Sequence, residues 1–178
     1  MRFIRDRVVN KVAWIFEDEN HTCRFDFSEA QWATDQLNAI FHAAKVELPD
    51  VDFLVETKDE LVFLEYKNAS HPSVAHGERF DVKKDKFSQT LCRKFYGSSY
   101  FAMATGKGIG KKKKYVLILE FPNADPVTRK YLRNRIAAKL PFKLQEQNKM
   151  TEKLIDSVDV ISLAEWNQKY PQFQGAFL

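Results

Sequence analysis

The residues that cross-link or interrupt a chain are scarce in this sequence of 178: two cysteines, six glycines and six prolines. Cys23 and Cys92 permit at most one disulfide. A domain of this length can bury enough apolar surface to need none, so reduced thiols are expected. So little Gly and Pro excludes collagen-like and low-complexity classes. No apolar stretch reaches the roughly 20 residues of a membrane span. The segment Met1–Phe16 mixes Arg2, Arg5, Asp6, Arg7 and Lys11 among its apolar residues, unlike the apolar core of a signal peptide. A soluble, cytoplasmic chain without membrane contact is the expectation. No repeat or linker-like tract divides it, so residues 1–178 read as one domain.

Acid is missing in one place. Residues 103–149 hold 12 Lys/Arg against 3 Asp/Glu, whereas residues 1–102 hold 14 against 17 and residues 150–178 hold 2 against 4. The net charge of +4 therefore conceals one strongly basic block. Such a block suits a polyanion, of which nucleic acid is the commonest; a solvated surface accounts for it equally well.

What is abundant is core material: 44% hydrophobic residues, with 15 Phe. Val12–Phe16 and Thr22–Phe27 are β-type runs around a polar Glu17–His21, which reads as a hairpin. Ser28, with Gln31 three residues on, resembles a capping box, and Ala30, Ala33, Leu37, Ile40, Phe41 and Ala44 recur at helical spacing to about Val46. Strands are expected at Val51–Glu56 and Leu61–Lys67, a helix over Phe80–Gly97, and strands at Tyr100–Thr105 and Tyr115–Phe121. Asp125-Pro126 opens a helix to about Leu140, with Val127, Tyr131, Ile136 and Leu140 toward the core. Val158–Leu163 reads as a last strand and Ala164–Tyr170 as a short helix. The order is that of a mixed α/β domain.

The hairpin around Lys58-Asp59 carries the chemistry. A symmetric turn pairs positions whose numbers sum to 117, which sets Asp52 opposite Glu65, Asp50 opposite Lys67 and Leu54 opposite Phe63. Alternation then puts these six on one face and Val51, Phe53, Val55, Val62, Leu64 and Tyr66 on the other. Opposed carboxylates with Cβ atoms about 5 Å apart are destabilising unless a cation compensates. Lys67 is one such cation, and a hard divalent ion is the natural other. A plain salt-bridge cluster is the alternative. Glu-x-Lys alone is weak evidence, because 12 Glu and 19 Lys give about one such triplet by chance; a second, Glu56-Thr57-Lys58, sits at the turn itself.

The segments Leu48-Pro49-Asp50-Val51-Asp52-Phe53-Leu54-Val55 and Leu61-Val62-Phe63-Leu64-Glu65-Tyr66-Lys67-Asn68 resemble the PD-(D/E)xK nuclease superfamily, with the twelve-residue separation of its resolvase-like members. The resemblance covers about half the chain. It implies a restriction-endonuclease-like core of helix, three-stranded meander, helix and strand, here with an N-terminal β-hairpin and C-terminal helix and strand additions. It also implies an endonuclease-type hydrolase using Mg²⁺ or Mn²⁺ on DNA in preference to RNA; a homodimer is left open. Asp52, Glu65 and the Tyr66 carbonyl would be metal ligands, and Lys67 would hold the attacking water. A departure is that Asp50 follows the Pro directly, so either aspartate can supply the first carboxylate. Glu29 is the candidate for a further helix-borne carboxylate, with Asp35 in reserve; compensation of a helix dipole accounts for Glu29 equally well.

Lys86, Gln89 and Arg93 share a polar face of the second helix. Lys107, Lys111, Lys112, Lys113 and Lys114, set among Gly106, Gly108 and Gly110, suit a flexible arm on a phosphate backbone. Arg129, Lys130, Arg133, Arg135 and Lys139 make the last long helix basic on its outer side. The glycine-lysine run is no P-loop, because its spacing is a residue short and a strand follows it. His21, His42, His71 and His76 show no metal-ligand spacing, and Trp14, Trp32 and Trp166 read as core anchors. Two rivals to the nuclease stand: a nucleic-acid-binding module with a weak or inactive site, and a domain that binds an acidic protein.

Overall fold

The computed structural model describes residues 13–70, 81–122 and 124–178. Among these residues the chain is mixed α/β, with two sheets and five helices. The first hairpin forms as expected, β1 (Ile15–Glu17) pairing antiparallel with β2 (Cys23–Asp26). Asp18 closes its turn by accepting from the backbone N–H groups of Asn20, Thr22 and Cys23.

Ser28 does not begin a helix. Its N–H donates to Asp26 Oδ1, Phe27–Ala30 make a turn, and the chain runs into a short strand, β3 (Trp32–Thr34). The helix is confined to α1 (Leu37–Ala43), which buries Leu37 and Phe41. Pairing of β3 with the next strand outweighs the local capping signal, as tertiary contacts often do.

The expected β-hairpin is present as β4 (Phe53–Glu56) and β5 (Glu60–Asn68), with Phe53 opposite Leu64 and Leu54 opposite Phe63. This is the register that sums to 117. β5 is followed by α2 (Asp85–Ala104), and Tyr100–Thr105, expected as a strand, continues that helix. Its buried residues Leu91, Cys92, Phe95, Ser98 and Ala102 keep one helical stripe going through the β-prone stretch. β6 (Lys112–Glu120) then runs parallel to β5, with Glu65 beside Leu117. Asp125 caps α3 (Pro126–Lys139) by accepting from the Thr128 N–H at 2.6 Å. α3 buries Leu132 and Ile136, whereas Val127 and Tyr131, expected inside, are exposed. A short α4 (Phe142–Gln147) leads to β7 (Ser157–Ile161), α5 (Leu163–Lys169) and β8 (Gly175–Phe177).

The main sheet has the order β3-β4-β5-β6-β7, antiparallel on the β3–β5 side and parallel from β5 to β7. β3, β4 and β5 form an antiparallel run of three strands, with α1 between the first and the second, whereas the sequence predicts a helix from Ser28 to about Val46 and no strand at Trp32–Thr34. One face packs on residues of α1, α2 and α3. The other packs on α5, including the fully buried Trp166, and on the small sheet β1-β2-β8. Both faces being covered is why Leu61–Leu64 of β5 and Tyr115–Leu119 of β6 are unbroken apolar runs.

Candidate active site

Four charged side chains converge where β4 begins and β5 ends. Asp52 stands just before β4, Glu65 and Lys67 are two residues apart on β5, and Lys94 reaches in from α2. Lys67 Nζ lies 2.7 Å from Glu65 Oε1 and 3.5 Å from Asp52 Oδ2. Lys94 Nζ lies 2.7 Å from Glu65 Oε1 and 3.3 Å from Asp52 Oδ1. Two carboxylates thus share two ammoniums, with no net charge. Asp52 Oδ2 also accepts from the Tyr66 N–H at 2.8 Å. An antiparallel residue sends its N–H and C=O to the same edge, so the Tyr66 carbonyl faces the Asp52 side as well.

Burial sets the electrostatics. Glu65 is fully buried between the sheet and α2, and its Oε2 has no hydrogen-bond partner among the described residues. Desolvation, seconded by the Asp52 charge, raises the Glu65 pKa despite both lysines. Burial alone would lower Lys67, but the charges of Glu65 and Asp52 together outweigh it and hold its pKa above the ordinary lysine value. Lys94 is raised for the same reason. Both amines are therefore cations at neutral pH. They can donate hydrogen bonds and stabilise negative charge, but they cannot serve as bases.

The segment before β4 is fixed by close packing on α2. Gly97 lies so near the chain that a Cβ there would stand 2.0 Å from the Pro49 carbonyl oxygen. One residue on, Ser98 Oγ accepts from the Val51 N–H at 2.9 Å. Val51 consequently packs on the helical side, with Leu54 and Phe63, instead of on the Phe53 side that strict alternation assigns it. Asp50 is held by Asn38 of α1 at 3.3 Å, and burial raises its pKa. It is Asp52 that meets the lysines of Glu65. Asp50, Asp52 and Lys94 line an open cleft of about 460 Å³ together with Glu17, Glu19 and Asp35.

The other expected site residues are distributed differently. Glu29 lies in the turn before β3, beyond the contact of Gln31 with Glu56, at the hairpin's turn end and away from Asp52. Asp35, at the opposite end of β3, lines the cleft. Lys86, Gln89 and Arg93 are exposed on α2, with Gln89 bonded to Asp85. Lys94 lies among the buried positions Leu91, Phe95 and Ser98, so it belongs to none of the basic faces that the sequence displays. The available signal was a lysine interrupting an apolar stripe.

The lysine-rich segment is no free arm. Gly106, Gly108 and Gly110 take φ near +70° in a tight turn, and Lys112–Lys114 already belong to β6. Lys107 and Lys111 lie 3.4 and 3.3 Å from Glu56, Lys113 3.0 Å from Glu152 and Lys114 2.5 Å from Glu60. Lys112 is exposed beside Glu60 in the ladder. This cluster sits at the Glu60 end of β5, about five strand residues or roughly 17 Å from Glu65. On α3, Arg129 pairs with Glu165 at 3.2 Å, and Arg135 and Lys139 pair with Asp85; Lys130 and Arg133 are exposed. His71 and His76 lie outside the described residues.

Among the described residues no group of three or more His, Cys, Asp or Glu side chains is arranged to hold a metal ion, and no helix is long and apolar enough to cross a membrane. The carboxylate oxygens that do converge are those of Asp52 and Glu65, which Lys67 and Lys94 both reach. Compared with protein-family models, with curated proteins and with solved structures, the chain matches none.

Proposed function

We propose that the chain is a metal-dependent nuclease of the PD-(D/E)xK kind on a restriction-endonuclease-like core, hydrolysing phosphodiester bonds of DNA in preference to RNA. The observation that carries the reading is Glu65: a fully buried carboxylate beside Asp52, with one oxygen that has no partner among the described residues. A buried, half-satisfied carboxylate is costly, and a site that keeps one usually uses it. The donor set fits Mg²⁺ or Mn²⁺, since Asp52, Glu65 and the Tyr66 carbonyl offer only hard oxygens. When bound, such an ion neutralises phosphate charge and makes water more acidic.

The chain's own groups would do the rest. Lys67, a cation held by Glu65 and Asp52, would turn an N–H toward the attacking water or the scissile phosphate and stabilise the charge that builds on the phosphoryl oxygens. Water would attack phosphorus and release a proton to solvent, the bond to the leaving oxygen would break, and that oxygen would take up a proton from solvent. Lys94 holds Asp52 and Glu65 in position and would yield one carboxylate oxygen as the ion enters.

A second reading rests on the electrical balance of the site. Two carboxylates and two ammoniums are complete as an ion-pair cluster, which suits a nucleic-acid-binding module with an inactive site. Incubating the protein with plasmid and with linear single strands, in Mg²⁺ and in EDTA, separates the two. Mg²⁺-dependent cutting supports the nuclease; salt-sensitive binding without cutting supports the module.

A further inference from the structure

A second depression adjoins the acidic cleft, and Leu48 and Pro49 line both. It is an open groove of about 1270 Å³ between α2 and the chain that leaves α1. Arg93, Tyr96 and Tyr100 line its α2 wall, spaced three and four residues apart on one helix face. Tyr100 is 66% and Tyr96 46% exposed, an unusual outlay of ring surface on one helix. The Tyr96 hydroxyl donates to the Lys139 carbonyl at 3.0 Å, which fixes the orientation of its ring. Across the groove stand His42 and Lys45, and Lys45 adopts φ +55° just past α1, where glycine is the usual occupant.

The two depressions differ in sign. The cleft carries Glu17, Asp18, Glu19, Asp35, Asp50 and Asp52 against Lys94, whereas the groove carries Arg93 and Lys45 against Glu47. A polyanion is repelled by the first and attracted by the second, and meets the carboxylates only at the shared Leu48–Pro49 edge. Exposed rings add a requirement that phosphate alone does not meet, because stacking needs an uncovered base face and a duplex hides its faces.

We propose that this groove binds an unpaired strand of nucleic acid, its bases stacking on Tyr100 and Tyr96 and its phosphates paired with Arg93 and Lys45, and presents it to Asp52. The choice of nucleic acid as occupant rests on the nuclease reading; the groove's preference for single strands is additional to it.

The test is fluorescence anisotropy in EDTA, where no metal-dependent cutting can intrude, with a labelled 20-residue oligothymidylate and a duplex of equal length. The single strand should bind more tightly. Tyr100→Ala should weaken it about tenfold or more, and Tyr100→Phe should retain it. Arg93→Gln should weaken it and lower the salt dependence by about one phosphate contact. Because Tyr100 is largely exposed, its replacement should leave thermal melting unchanged, so lost binding is not lost folding. Equal affinity for the duplex, or an unaffected Tyr100→Ala variant, overturns the proposal. Equally effective competition by polyglutamate overturns it in favour of an acidic protein partner. Failure of the nuclease reading shows separately, as absence of Mg²⁺-dependent cutting by the unaltered chain, and leaves this binding result in place.

Discussion

Gly97→Ala sets two physical effects against each other with opposite signs. In the interior of a 20-residue helix, replacing Gly by Ala favours the helix by about 0.5–1 kcal/mol. At this position, however, the added Cβ would stand 2.0 Å from the Pro49 carbonyl oxygen and 3.1 Å from its carbon. Neither is the flexible end of a side chain, so the backbone must retreat by roughly 1 Å to reach the edge of van der Waals contact. The Val51 N–H bond to Ser98 Oγ lies two residues along the same segment, and leaving that buried N–H unsatisfied costs about 1–3 kcal/mol. The clash itself adds to this, so net destabilisation of about 1–3 kcal/mol is expected. Urea unfolding at pH 7 reads it directly. The same shift moves Asp52 against Glu65, and a misplacement of about 1 Å in a catalytic constellation can cost about 100-fold in rate. A Gly97→Ala protein that is more stable than the parent and equally active would refute the packing argument.

Lys94→Met should leave Asp52 and the buried Glu65 with one cation between them, costing up to roughly 3 kcal/mol. Added Mg²⁺ should then raise the melting temperature of the variant more than that of the parent, because the ion supplies the missing charge; an equal shift in both would count against a metal at this site. Glu56 accepts from the Gly108 N–H and lies beside Lys111 and Lys107; although burial pushes its pKa up, these partners together hold it below the ordinary value of 4.5. Its contribution to stability is therefore full above pH 4.5 and fades as the pH falls below it. Glu56→Gln should be clearly less stable than the parent in urea at pH 7, and the gap should narrow as the pH falls below 4.5; a gap that stays constant into acid would contradict this. Burial pushes the thiols of Cys23 and Cys92 up to about 12 and about 11. Neither should react with a thiol reagent at pH 8 until the chain is unfolded, when both should react; rapid labelling of the native protein would show that these positions open.

The parts of the fold legible in the sequence are those fixed by local chemistry. Asp125-Pro126 opens α3 as expected because a cap and a preset φ act within one turn. The polar tip Thr57–Glu60 pins the β4–β5 register, since Thr57 bonds back to Glu60 and a one-residue slip would turn every buried side chain outward. That register is what brings Asp52 to Glu65 and Lys67. What misled was local signal overruled at a distance. The Ser28 cap loses to pairing of β3 with β4, and the β-prone Tyr100–Thr105 is held in α2 by the stripe that Leu91, Phe95 and Ala102 continue. The glycine-lysine segment looked solvated because its acids, Glu56, Glu60 and Glu152, lie about fifty residues before it or some forty after. Lys94 went unseen because nothing local distinguishes a lysine that salt-bridges inward from one that faces water.

Lys67 provides the most direct test of the proposed nuclease site. Single-turnover cleavage of an end-labelled substrate in Mg²⁺ should slow by about 100-fold or more in Lys67→Ala and stop when the ion is chelated. Lys67→Ala cutting at the parental rate, or cutting that continues in EDTA, would contradict the assignment of Asp52, Glu65 and Lys67 as the active site.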